Sequence, residues 1–92
     1  MIIEKLARFA DELSNILDFI ALDNPRLALQ FQQDLLLQID KIPQNPLSFR
    51  QSNLFDDKNI RELIFKGYII IFKIQANNIV VLGIFSTNIW EH

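Results

Sequence analysis

With 92 residues and a formal net charge of −2, the chain is long enough for one compact domain with one core and too short for two. Half of it is hydrophobic, eight residues are Phe and only Gly67 and Gly83 are glycines, so a core can be buried and disorder is disfavoured. There is no cysteine, which excludes disulfides, thiolate metal sites and cysteine nucleophiles.

Met1-Ile2-Ile3 runs at once into Glu4, Lys5 and Arg8, leaving no apolar stretch of the kind an export signal carries. Met1 to Lys5 is admitted as a strand, although Glu4 and Lys5 interrupt its apolar pattern. From Leu6 the apolar residues Leu6, Phe9, Leu13, Ile16, Leu17 and Ile20 advance in steps of three and four, which predicts one apolar helix face. The run stops at Leu22-Asp23-Asn24-Pro25. Asp23 or Asn24 can cap a second helix and Pro25 suits its first turn, having no amide hydrogen to leave unpaired. That helix carries Ala28, Phe31, Leu35, Ile39 and Ile42 at the same spacing, with Leu29 and Leu36 widening the stripe, until Pro43 and Pro46 end it. So short a connection predicts an antiparallel helix pair.

Pro43 to Asn59 reads as a connector with room for a short strand near Phe49 to Leu54. Ile60 to Phe65 then mixes charged and apolar residues in strand fashion, Lys66-Gly67 offers a tight turn, and Tyr68 to Ile74 is almost wholly β-branched or aromatic. Ala76-Asn77-Asn78 provides the next turn and Ile79 to Phe85 a further strand. The expected fold is α+β: an N-terminal helical hairpin packed on a three- to four-stranded antiparallel sheet, with Tyr68 to Ile74 central and covered by the helices. The longest apolar run, Tyr68 to Phe72, is far below the roughly 20 residues of a membrane span, so a cytoplasmic protein with no membrane partner is expected.

Little metal, cofactor or hydrolytic chemistry is expected of these residues. His92 is the only imidazole, too few for a metal site or a serine triad, and Asp56-Asp57 beside Lys58 reads as a solvated turn. Two scattered glycines make no phosphate-binding loop. Metal-free RNA cleavage would have to draw on Lys58, Arg61, Lys66, Tyr68 and Lys73, which alternate along strands or sit at a turn and need not converge. Charge is uneven: residues 1–40 hold three bases and seven acids, residues 41–73 six bases and three acids. The helices are therefore acidic and the sheet region basic. A patch with Arg50, Arg61 and Tyr68 could face an acidic protein or nucleic acid. A pI near 5.2 argues against direct DNA binding.

Taken together, Ile20-Ala21-Leu22-Asp23-Asn24-Pro25, Ala28 with Phe31, Arg61-Glu62-Leu63, Tyr68 to Phe72 and Ile79 to Ile84 resemble, in order and separation, the RelE/ParE superfamily of toxins from type II toxin–antitoxin modules. The likeness implies a toxin neutralised by a cognate antitoxin. Members that cut messenger RNA on the ribosome typically carry an Arg after the Tyr of the central strand and a basic, Tyr-bearing tail. This chain has Ile69 after Tyr68, and Ser86 to His92 contain no Arg, Lys or Tyr. The ParE branch, which inhibits DNA gyrase by binding and not by catalysis, is the closer comparison, although it commonly keeps a His where this chain has Phe85-Ser86. A RelE-type ribonuclease using Arg61, Lys66 and Tyr68, or an inactive homologue retaining only antitoxin binding, is the alternative. The resemblance implies an antitoxin segment wrapped over helices and sheet, for which Leu29, Leu36, Leu37, Leu54 and Phe55 are candidates, each taken singly reading better as the back of the core. Arg50, Arg61, Lys66, Tyr68 and Trp90 are the candidate target- or antitoxin-binding residues, Trp90 reading first as an anchor of the terminus.

Overall fold

The computed structural model describes residues 1–87. Its elements follow the order β1 (Ile2–Lys5), α1 (Ala7–Asp23), α2 (Pro25–Asp40), two single turns of 3-10 helix at Ile42–Gln44 and Pro46–Ser48, β2 (Arg50–Gln51), β3 (Ile60–Phe65), β4 (Tyr68–Ile74) and β5 (Asn78–Ser86). The strands form one sheet in the order β1-β5-β4-β3-β2, with β4 in the middle as its composition predicts.

Local chemistry explains the two sharpest turns. Asn24 sits between the helices in extended conformation, and its Oδ1 accepts from the backbone N–H groups of Arg26 and Leu27 at 3.0 and 3.3 Å. Two of the orphan donors of α2 are thereby satisfied, and Pro25 removes a third. Asn24→Ala is expected to cost about 1 kcal/mol, read as a lowered urea midpoint with an unchanged slope. Between β3 and β4, Lys66 (φ 49°) and Gly67 (φ 84°) both adopt left-handed conformations, and Phe65 pairs with Tyr68. That is the backbone of a two-residue hairpin whose twist matches the strands it joins.

Phe9 and Leu13 from α1, Phe31, Leu35 and Ile39 from α2, Ile42 beyond it, and Leu63, Ile70, Phe72, Ile79, Val81 and Ile84 from the sheet make one core. The helical stripes read from the sequence thus face the sheet. Each such side chain, fully buried, contributes about 1.5–3 kcal/mol relative to leaving it in water. Alternation along β4 sends Ile70 and Phe72 into this core and Ile71 to the opposite face.

The sheet differs from expectation in three respects. It has five strands, because the connector contributes β2, Arg50 and Gln51 pairing with Glu62 and Arg61. It is mixed, because β1 runs parallel to β5 from Ile2↔Asn78 to Lys5↔Val81. Parallel pairing follows from connectivity: the chain leaves β1, crosses one face as the helical hairpin and re-enters the sheet from the other edge. Finally, the helices cover only one face of β4. On the other face the 52–59 connector lies across the sheet, tied by Lys73 Nζ to Asp57 Oδ2 at 3.6 Å and by Ser52 N–H to the Ile60 carbonyl at 2.8 Å.

Candidate partner-binding surface

The unusual backbone of this fold lies along the outer edge of β5. β1 covers that edge only as far as Val81, where Leu6 N–H donates to the Val81 carbonyl at 3.1 Å before the chain turns into α1. Just beyond, the pairing with β4 jumps from Phe72↔Val81 to Ile71↔Gly83, so Leu82 is the extra residue of a bulge. Among the described residues the next outward amide, Ile84 N–H, meets no strand. It donates to Glu12 Oε1 of α1 at 3.0 Å, while Arg8 Nε donates to Glu12 Oε2 at 3.1 Å. A side chain takes the place of a missing strand.

Gly83 makes this possible, since a Cβ there would stand 2.7 Å from Glu12 Oε1. Gly83→Ala is therefore expected to push the carboxylate off Ile84 and cost about 1–2 kcal/mol, the worth of one partly exposed charge-assisted hydrogen bond. Glu12→Ala should cost about the same. Chemical denaturation of both single variants and the double variant checks the mechanism, because the double variant should be little worse than either single.

Three concavities meet end to end along this side of the molecule. One of about 400 Å³ lies between Leu54 and Phe55 of the connector and Leu82 and Phe85 of β5, with Glu12 at its edge. The second, about 380 Å³, shares Glu12 and Phe85 and continues along Ile16 and Phe19 of α1. The third, about 470 Å³, shares Phe19 and ends at Leu22 and Leu27 on the tip of the hairpin. Phe19 is 71% exposed, Leu22 86%, Leu27 54%, Leu54 63% and Phe55 44%, so the track is a run of large apolar side chains left in water. Apolar surface of that extent usually marks a contact with another molecule.

The residues singled out by sequence do not gather at one place. Arg50 Nε donates to Glu62 Oε1 at 2.7 Å, on the face away from the helices. The Arg61 guanidinium donates to the carbonyls of Lys58 at 2.7 Å and Phe49 at 2.9 Å, lacing the connector to β3. Lys66 stands on the hairpin, its Nζ 3.8 Å from Asp34 Oδ2 and 5.3 Å from the Phe65 ring centroid. Tyr68 is half-buried, its ring edge-on to Phe31 at 5.5 Å, and also borders the middle concavity of the track. Arg61 pairs with Phe72 and Tyr68 lies four residues away on that strand, a separation of roughly 13 Å at strand rise. Trp90 lies outside the described residues. Of the apolar groove candidates, Leu36 packs against the core, whereas Leu29, Leu37, Leu54 and Phe55 are exposed and not its back. Among the described residues no cluster of three or more His, Asp or Glu could hold a metal, and no helix is long and apolar enough to cross a membrane.

Sequence reasoning passed over Glu12, Gly83, Phe19, Leu22 and Leu27. Two signals were present. Gly83 interrupts an otherwise apolar strand, a common mark of a bulge or a close approach. Phe19 and Leu22 are large apolar residues off the stripe that their own helix buries.

Residues 3–89 match the family described as the ParE toxin of the type II toxin–antitoxin system, parDE. The chain belongs to this family. One solved structure, described as the chromosomal ParDE toxin–antitoxin system from P. aeruginosa, superposes with a TM-score of 0.75 at 21% identity, covering 94% of this chain and 95% of that one. The likeness is one of fold. No curated protein matches. A ParE fold here thus comprises two helices on one face of a five-stranded sheet, with the apolar track running along the edge where helix and sheet meet.

Proposed function

We propose that this ParE-family chain is a cytoplasmic toxin that acts by binding a macromolecular target, DNA gyrase, and that a cognate antitoxin neutralises it by lying along the track from Phe55 to Leu27. The family match over residues 3–89 carries the reading. The track supports the antitoxin half, since it offers a long apolar surface and not a closed pocket. Commitment of the Arg61 guanidinium to the carbonyls of Lys58 and Phe49, roughly 13 Å along the sheet from Tyr68, supports binding over RNA cleavage. A ribonuclease would need those groups around one phosphate. Target contact then falls to side chains still presented to solvent, Arg50 and Lys66 among them, with Trp90 as a further candidate anchor.

Supercoiling of relaxed plasmid by purified gyrase tests the target. Loss of supercoiling at stoichiometric toxin, restored by the antitoxin, is the expected result, and undiminished supercoiling at excess toxin would remove gyrase from the proposal. Primer extension on messenger RNA after induction separates the alternative, because a RelE-type ribonuclease would leave new cleavage ends. Normal growth on induction with antitoxin binding retained would identify a homologue that has kept only the antitoxin surface.

A further inference from the structure

We propose that the outer face of α2 is a self-association surface, on which a second copy of this chain packs its own α2 antiparallel about a twofold axis through Gln33. Arg26, Leu29, Gln33, Leu37 and Asp40 follow one another in steps of three and four, and all are exposed. They form a stripe opposite Ala28, Phe31, Leu35 and Ile39, the residues that α2 buries. Neither leucine has a place in the core, and each is more than half exposed.

The stripe is its own complement. Leu29 and Leu37 are equally distant in sequence from Gln33, and so are Arg26 and Asp40. Turning a second α2 end for end about Gln33 therefore sets Leu29 against the partner's Leu37 and Arg26 against the partner's Asp40, and the twofold repeats both contacts. A seat for the incoming leucine is already present. Gln33, Leu36, Leu37 and Asp40 line a concavity of about 470 Å³, the four-residue hole that one side chain of a facing helix enters in coiled-coil packing. The partner's Leu29 stands opposite it. A crossing angle near 20° keeps the two helices in reach over the roughly 21 Å from Arg26 to Asp40.

The end charges give an independent reason. Arg26 sits in the first turn of α2 and Asp40 in the last, each with the sign that the helix dipole disfavours there. Among the described residues neither has an ion-pair partner to offset this. The antiparallel pair supplies one to both. An unrelated partner would need no such symmetry about Gln33, which is why the occupant is a second copy. Leu27, where the apolar track ends, lies roughly 120° around α2 from Gln33, so the pair leaves the track open. One helix a side makes a small interface of the transient class, and a Kd on the order of 10–100 μM is expected.

Sedimentation velocity of the full chain from about 5 to 500 μM tests the pairing, because self-association depends on concentration. A monomer giving way to a dimer across that range is the expected result. Leu37→Asp should raise the dimer Kd at least about 100-fold, since the residue occurs twice in the seam. Charge exchange reads the register. Arg26→Asp or Asp40→Arg alone should weaken self-association roughly tenfold, whereas an equimolar mixture of the two single variants should pair as well as the unaltered chain, each meeting opposite charge at both ends. Both exchanges suit the helix dipole, so the fold is retained, and circular dichroism checks it. A chain that stays monomeric at the highest concentration overturns the proposal. So does a dimer indifferent to Leu37→Asp and to both exchanges, which would lie on another face. Weaker antitoxin binding by Leu37→Asp without any self-association would give the stripe to the antitoxin instead.

Discussion

Replacing Phe72 by alanine is expected to lower stability by about 3–5 kcal/mol and to leave the domain largely unfolded near physiological temperature. Phe72 has no exposed surface, lies at the centre of the middle strand, and faces Val81 of β5 and Arg61 of β3. Its ring meets that of Phe49 edge-on, centroids 5.4 Å apart at 88°, so truncation both opens a cavity under the helices and loosens the connector before β2. For a domain of this size each kcal/mol corresponds to about 4–8 °C, and a drop in melting temperature of roughly 12–40 °C follows. Phe72→Leu keeps most of the volume and should fall between the two. Calorimetry on the three proteins reads the series, and a loss under about 1 kcal/mol for alanine would contradict the packing described.

Arg50→Ala is expected to cost about 1–3 kcal/mol. The Glu62 side chain is 4% exposed, yet it is a carboxylate, and Arg50 Nε at 2.7 Å is its ion-pair partner. Removing that partner leaves a charge in a dry place, which is the expensive way to break a pair. The figure stays below that for a fully buried pair because the Arg50 side chain is itself 60% exposed and water can partly take its place. Glu62→Leu in the Arg50→Ala background should recover most of the loss, since an apolar side chain suits the same surroundings. Urea denaturation of the single and double variants measures this. The result also bears on function: a stability loss repaired by Glu62→Leu assigns Arg50 to the scaffold, whereas unchanged stability with lost inhibition assigns it to the target contact.

Much of this molecule was legible in one dimension because the relevant forces are local or periodic. Three-four spacing marked Phe9, Leu13, Phe31, Leu35 and Ile39 as core, and each is buried. Asn24-Pro25 and Lys66-Gly67 marked turns because few other residues satisfy a helix start or two successive left-handed residues. The candidate surface was legible only in fragments. Leu54 and Phe55 were named, but the track they open depends on Phe19, Leu22 and Leu27, which are far off in sequence and share no spacing with them. Arg61 looked like a surface charge because the sequence carries no sign of which carbonyls it will meet.

By itself, then, the sequence determined the helical hairpin, the three-strand meander, the placement of β4 at the centre and the family likeness. The first three follow from residue periodicity and turn chemistry, which act over a few positions, and the likeness rests on short motifs that resemble the family's in order and separation. Tertiary structure decided that β1 joins β5 in parallel and covers it only as far as Val81, and that Glu12 closes the gap at Ile84. Those features rest on contacts between residues more than 70 positions apart, and such contacts exist only once the sheet has brought the chain's two ends together.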